Sequence, residues 1–255
     1  MHSQAKKQTG MKGLYLYAIV AGCQERSLGA LGINGTRIYT IANGEIAAVV
    51  SDFPNRQIRP ERRHFAAHHG VLKKIMEDND VLPMAFGIIS GGPNAVRRIL
   101  SENREVIESQ LNRVSRKVEM GLKVVWDVPN IFEYMVNTHP ELMEARDRLK
   151  NPLLRHSQDE MIEIGRLFEE LLMCDRNRHF VQVEQSLGDR CFEIKRNTCR
   201  KEHEVMNLAC LVGRHAVAEF EAGVLEAAGL FDDSFAFDYN GPWAPHNFVE
   251  IELDI

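Results

Sequence analysis

The sequence predicts an α+β protein of two domains, and three observations carry that prediction. The run Lys117–Trp126 is a strand with one greasy face: Val118, Met120, Leu122, Val124 and Trp126 alternate with Lys117, Glu119, Gly121, Lys123 and Val125. From Lys117 to Tyr239 the periodicity then runs strand, helices, strand, strand, helix, strand, which is the split βαβ order called ferredoxin-like (βαββαβ, modified). Ahead of it stand three strands followed by helix, strand and helix, a separate α+β unit. The expected boundaries are a flexible tail over 1–12, an N-terminal α+β domain over 13–115, a ferredoxin-like domain over 116–239, and a C-terminal extension over 240–255 that ends in a final strand.

Composition narrows the function classes. A chain of 255 residues is long enough to bury roughly 70 to 75 per cent of its unfolded surface. Hydrophobic residues at 44% and charged residues at 26% are ordinary for a water-soluble globular protein. A net charge of -5 argues against nucleic-acid binding, which depends on neutralising phosphates. The basic clusters Arg59, Arg62 and Arg63, and Lys195, Arg196, Arg200 and Lys201, read as solvated surface. The five cysteines, Cys23, Cys174, Cys191, Cys199 and Cys210, form no CxxC pair, and with a polar start they suggest a reduced, cytosolic protein. No apolar run reaches the length of a membrane span.

In chain order, residues 1 to 12 are polar and aperiodic. Leu14 to Val20, Thr36 to Ile41 and Glu45 to Ser51 are rich in β-branched and aromatic residues and read as strands. Asn43-Gly44 between the last two signals a tight antiparallel hairpin of type I′. Pro60 to Asn79 changes period, with Phe65, His68 or His69, Leu72 and Ile75 or Met76 forming one helical stripe. Val81 to Ile89 is apolar and strand-length, and Pro83 places it at an edge or bulge. Asn94 to Ser115 reads as one long amphipathic helix that delivers the chain to the central strand.

Past Trp126 the pattern is helical over Pro129 to Leu149, with Thr138 placed to cap the helix opened by Pro140. The stripe Met161, Ile164, Leu167, Phe168, Leu171 and Leu172 marks a further helix extending toward Leu187. Cys191 to Lys195 and Val205 to Val212 are strands, Arg214 to Gly229 a helix, and Ser234 to Tyr239 a strand. Asn247 to Leu253 alternates Val249, Ile251 and Leu253 against Glu250 and Glu252, the pattern of an added edge strand. Two prolines hold Trp243 in an extended connection.

No catalytic constellation stands out. His64 and His68, at i and i+4, share a helical face suited to a metal, but no third ligand is evident nearby, and core or interface histidines are the preferred reading. Gly87 to Gly92 has neither P-loop nor dinucleotide spacing, so its glycines read as turn chemistry. Cys191 and Cys199 could face each other across a hairpin, as buried thiols without an activating base. An enzyme built from dispersed residues such as His68, Glu119 and Cys191 would need a pocket uniting them. The expectation is therefore no enzyme, no cofactor and no metal. Six aromatic residues fall within eighteen positions, Phe231 to Phe248. The phenylalanines read mainly as core, whereas Trp243 lies outside a regular element and is open to a partner.

The stretches KVEMGLKVVWD from Lys117, VLPMAFG from Val81 and YNGPWAPHNFVEIEL from Tyr239 resemble the gas vesicle protein F/L family over nearly the whole chain, about Gly13 to Leu253. The resemblance implies a minor, non-enzymatic accessory component of gas vesicles. Its implied partners are the small hydrophobic shell protein and other gas vesicle accessory proteins, with no nucleic acid and no lipid membrane span. It also implies a location at the vesicle shell or its assembly intermediates in the cytoplasm. Trp243 and Phe248 are the expected partner-contact residues. The alternative is a small-ligand-binding regulatory protein with a ferredoxin-like domain.

Overall fold

The structure, a computed structural model, describes residues 12–22, 27–150 and 157–251. It divides into two compact units: residues up to Glu119 together with those from Trp243 onward, and residues Met120–Pro242. The C-terminal segment thus belongs to the first unit. The tail expected over 1–12 lies, apart from Lys12, outside the described residues, as does Cys23.

The first unit is built on β1 (Lys12–Ala21), which pairs antiparallel with β4 (Ile46–Pro54) on one side. On its other side it pairs with two short strands, β5 (Val81–Pro83) and β6 (Ile89–Ser90). Outward from β4 come β3 (Ile38–Asn43) and β2 (Ser27–Gly29). Every residue from Gly13 to Val20 is buried, so β1 is covered on both faces and reads as a continuous apolar run rather than an alternating one. A bulge at Tyr17 shifts the register between Leu16 and Ala18, which lets Leu14, Leu16 and Ile19 share one hydrophobic cluster.

That cluster is closed by α2 (Pro93–Glu102) and α3 (Arg104–Val114), through Val96, Leu100, Ile107, Leu111 and Val114. The single helix expected over Asn94 to Ser115 is broken at Asn103, whose φ of -108° and ψ of 17° leave the helical region. Its side-chain amide donates to the Ile99 carbonyl, the local competition with backbone bonding that makes asparagine a helix terminator. α1 (Arg62–Met76) lies in the same unit and buries His64, His68, Val71, Leu72, Ile75 and Met76.

Two other expectations change here. Val81 to Ile89 is not one strand: after Pro83 the chain leaves the ladder, turns through Gly87 at φ +97°, and rejoins β1 at Ile89. The hairpin forms where expected, but Asn43 pairs with Ile46, so the turn is Gly44-Glu45. Only Gly44, at φ +67°, takes the left-handed conformation.

The second unit is a four-stranded sheet in the order β10-β7-β9-β8. Its members are β7 (Lys117–Trp126), β8 (Glu193–Asn197), β9 (Glu204–Gly213) and β10 (Phe235–Trp243). β8 and β9 are antiparallel. Trp126 N–H donates to the His203 carbonyl and Asp127 N–H to the Ser234 carbonyl, so β9 and β10 both start where β7 ends and run back along it. Val118, Met120, Leu122, Val124 and Trp126 are all 2% exposed or less. Burial of that size contributes roughly 1.5 to 3 kcal/mol per side chain, and a one-residue slip would forfeit it.

Four helices complete this core: α4 (Ile131–Thr138), α5 (Pro140–Leu149), α6 (Gln158–Leu187) and α7 (Val217–Ala228). They place Met135, Leu142, Leu172, Val183, Phe220 and Val224 in one cluster with β7 and β9. α6 opens with a reciprocal capping box between Ser157 and Glu160. Thr138 does not cap α5; its hydroxyl donates back to the Tyr134 and Met135 carbonyls, while Asn130 caps α4.

β10 runs four residues beyond the expected Tyr239, through the segment assigned to an extension. The final strand expected over 247–253 is not formed in its described part. His246–Phe248 is a 3-10 turn, 249–251 have no regular structure, and 252 and 253 lie outside the described residues. The alternation that suggested a strand is satisfied by packing instead, with Val249 and Ile251 against the first unit's cluster.

The turn is held by Glu119, whose buried carboxylate accepts from Asn247 N–H at 2.8 Å and from Asn247 Nδ2 at 2.6 Å. Glu119→Ala removes both acceptors and is expected to cost about 1 to 3 kcal/mol; urea denaturation of the full chain measures it.

Candidate partner-binding surface

Trp243 ends β10 and is 40% exposed, whereas Phe248, three residues into the connection after Pro245, is fully buried. The two residues expected to contact a partner are therefore physically different. Phe248 anchors the turn from inside, and its proposed role as a contact is corrected to a packing one. Trp243 offers an accessible indole, with its ring centre 6.4 Å from that of His69.

Beneath it lies a cluster that sequence spacing hinted at only through the helical histidines. His69 is 5.7 Å from His246 and 5.8 Å from His68, and His68 is 6.5 Å from His246, centre to centre. His68 Nδ1 shares a 2.9 Å hydrogen bond with the Tyr15 hydroxyl, and its ring stacks on Tyr17. Tyr15 Oη also accepts from Gly87 N–H, and Tyr17 Oη accepts from Ile33 N–H. Burial raises the Tyr15 pKa, so the hydroxyl stays protonated. Phe65, expected on the buried stripe of α1, is part-exposed and stacks on Phe86 at 4.0 Å.

The two histidines of the possible metal motif are tied to different groups: His64 Nδ1 donates to the Arg59 carbonyl at 2.9 Å, and His68 bonds Tyr15. Among the described residues no three His, Cys, Asp or Glu side chains are grouped as a metal ion would require. The dispersed catalytic set fares no better as a unit, because Glu119 is occupied by Asn247 and Cys191 shares a side-chain hydrogen bond with Cys210. Cys199 does not face Cys191 across the hairpin; its thiol points to the Val205 carbonyl at 3.6 Å.

Sequence reading missed a second surface, in the second unit. Phe132 on α4 stacks on Phe168 of α6 at 4.7 Å. With Leu172 and Met173 they line an open groove of about 430 Å³ whose rim carries Arg176 and Lys201. Phe132 and Met173 are each 50% exposed. The aromatic residues were visible in the sequence, but their juxtaposition depends on the approach of two helices that are not consecutive in the chain, α4 and α6.

Residues 13–250 match the model of the family described as gas vesicle synthesis protein GvpL/GvpF. The chain is 23% identical over 242 residues to gas vesicle protein F of Dolichospermum flosaquae, covering 94% of this chain and 98% of that one. It is 26% identical over 246 residues to gas vesicle protein F2 of Halobacterium salinarum, covering 94% and 93%. The crystal structure of gas vesicle protein GvpF from an Anabaena species matches with a TM-score of 0.82 at 22% identity, over 94% of this chain and 99% of that one. At that identity the match speaks to the fold.

The histidine cluster sets a pH dependence. Burial first, then the imidazoles of His69 and His246, lower the His68 pKa to about 4; burial and then His69 lower that of His246 to about 4. Above about pH 6.5 neither the folded nor the unfolded chain protonates these rings. Between about 6.5 and about 4 the unfolded chain takes up protons that the folded chain refuses, so stability falls on acidification. Below that range both states are protonated and this contribution levels off. Thermal melts across this range are expected to show the decline, with a shallower slope in His246→Gln.

Proposed function

The chain belongs to the gas vesicle synthesis protein GvpL/GvpF family, and on that premise we propose that it is a non-enzymatic gas vesicle accessory protein that binds the hydrophobic shell protein during assembly. A shell subunit with an apolar face aggregates unless that face or its strand edge is covered, and an accessory protein with an accessible aromatic anchor can cover it. Other accessory proteins are further partners in this reading, and its location is the vesicle shell or its cytoplasmic assembly intermediates. No described helix is long and apolar enough to cross a membrane. We assign the second unit to the ferredoxin-like class; its support is the sheet order, in which the unit's fourth strand borders its first and its third separates first from second.

The observation that carries the contact is the 40% exposure of Trp243 at the end of an edge strand. An indole is a large apolar surface with one polar group, the combination enriched at the centres of protein interfaces. Trp243→Ala is expected to weaken co-purification of the shell protein by on the order of 2 kcal/mol while leaving the melting profile intact. Phe248→Ala is expected instead to lower stability by about 3 to 5 kcal/mol, as a core truncation does. Phe132→Ser with Met173→Ser supplies the comparison. Loss of shell protein only in that variant would move the contact to the groove and overturn the assignment to Trp243.

A further inference from the structure

α6 carries two apolar stripes, and the core uses only one of them fully. Leu167 and Leu171 pack against the second unit's cluster. On the other stripe Gly165, Phe168, Leu172, Met173 and Arg176 follow one another at helical spacing and line the open groove. Met161 and Ile162, one turn ahead of Gly165 on the same face, are 53% and 45% exposed. From Met161 to Arg176 this stripe runs about 22 Å along the helix. A continuous apolar strip of that length in water, edged by charge, marks an interaction surface.

Gly165 points to the kind of partner. A Cβ built there would meet nothing within 4 Å, and a glycine inside a helix costs about 1 kcal/mol relative to alanine. The fold of one chain gives no steric reason for the missing side chain. The close approach of another backbone does, because helices cross nearest where a small residue lies between them.

The charges along the stripe decide what approaches. Asp159 stands at its start, Arg166 and Glu169 near its middle, and Arg176 at its end. Asp159, Arg166 and Glu169 are exposed and, among the described residues, form no ion pair. The Arg176 guanidinium is held in place by the Lys201, Glu202 and Glu204 carbonyls, with Arg200 and Lys201 beside it on the groove. An antiparallel copy of the same helix, related by a two-fold axis level with Leu167, complements each of these features. Met161 of one copy comes opposite Met173 of the other, and Ile162 opposite Leu172. The open space over Gly165 receives the Phe168 ring and the stem of Glu169. Asp159 then faces Arg176, and Arg166 faces Glu169. A parallel copy would instead set every charge against its own kind.

We propose that the chain forms a two-fold symmetric dimer in which α6 of each protomer lies antiparallel in the α6 groove of the other. Such a contact is isologous, so each favourable pair is made twice. A contact about 22 Å long on a helix about 10 Å wide stands at the low end of specific interfaces, so the dimer exchanges reversibly with the monomer. It buries the exposed apolar residues of α6 and leaves the Trp243 surface out of the contact, and the inference does not rest on the shell-protein reading.

Sedimentation velocity of the full chain from about 1 μM to 1 mM, the range of weak complexes, tests it. A concentration-dependent rise from the mass of one chain to that of two is expected, weaker at high salt. Gly165→Leu meets no neighbour within the monomer and favours the helix; it is expected to keep or raise the melting temperature while weakening the dimer at least about tenfold. Arg166→Glu and Glu169→Arg are each expected to weaken it on the order of tenfold, and the two together to restore it. No dimer across the range, a dimer at full strength in Gly165→Leu, or a double exchange no better than either single change would overturn the proposal. A monomeric chain whose Gly165→Leu variant loses the shell protein in co-purification would overturn it too, by giving the groove to that partner.

Discussion

The burial of one face of β7 is the constraint on which the second unit rests. Four of its side chains, Met120, Leu122, Val124 and Trp126, enter a single cluster with β9 and the four helices. Their alternation leaves only one register in which all of them leave water. The opposite face is specified just as closely. A side chain at Gly121 would place its Cβ 2.8 Å from Asn240 Oδ1 of β10, and Lys123 pairs with the buried Glu204 at 2.8 Å. Glycine and lysine are thus part of the sheet's fit rather than breaks in its pattern.

The same strand supplies Glu119, and a carboxylate buried that deeply must be hydrogen-bonded. It finds both donors on Asn247, in the turn that also buries Phe248. The chain that leaves β10 is thereby fixed to the first unit, and Trp243 is held at the surface beside His69. A rigid aromatic group anchored from below loses little freedom on meeting a partner, which is why preorganised aromatic residues make effective contacts. The histidines under it remain neutral because burial and mutual repulsion oppose their charge.

The buried histidines divide into two chemically distinct sets. His68 and His246 belong to a neutral aromatic layer, whereas His64, one helical turn from His68, faces arginines. Spacing at i and i+4 placed His64 and His68 on one helical stripe, and the different surroundings of that stripe's two ends gave one ring the Arg59 carbonyl and the other the Tyr15 hydroxyl as partner.

The sequence by itself determined the α+β class, the one-sided strand at 117–126 and most helices, because apolar period and turn chemistry are local. Its motifs also pointed to the family that residues 13–250 match. It misplaced what depends on distant partners. The break at Asn103, the split of 81–89 around Gly87 and the packing of Val249 and Ile251 without a ladder follow from what else competes for the same backbone groups and core surface. The fate of the two aromatic contact candidates was of this kind too: Trp243 and Phe248 were both expected at a partner contact, and only tertiary packing decided that one is solvent-facing and the other enclosed. Local pattern tells which side chains avoid water; only the assembled fold, where a limited core can cover some of them and not others, tells which succeed.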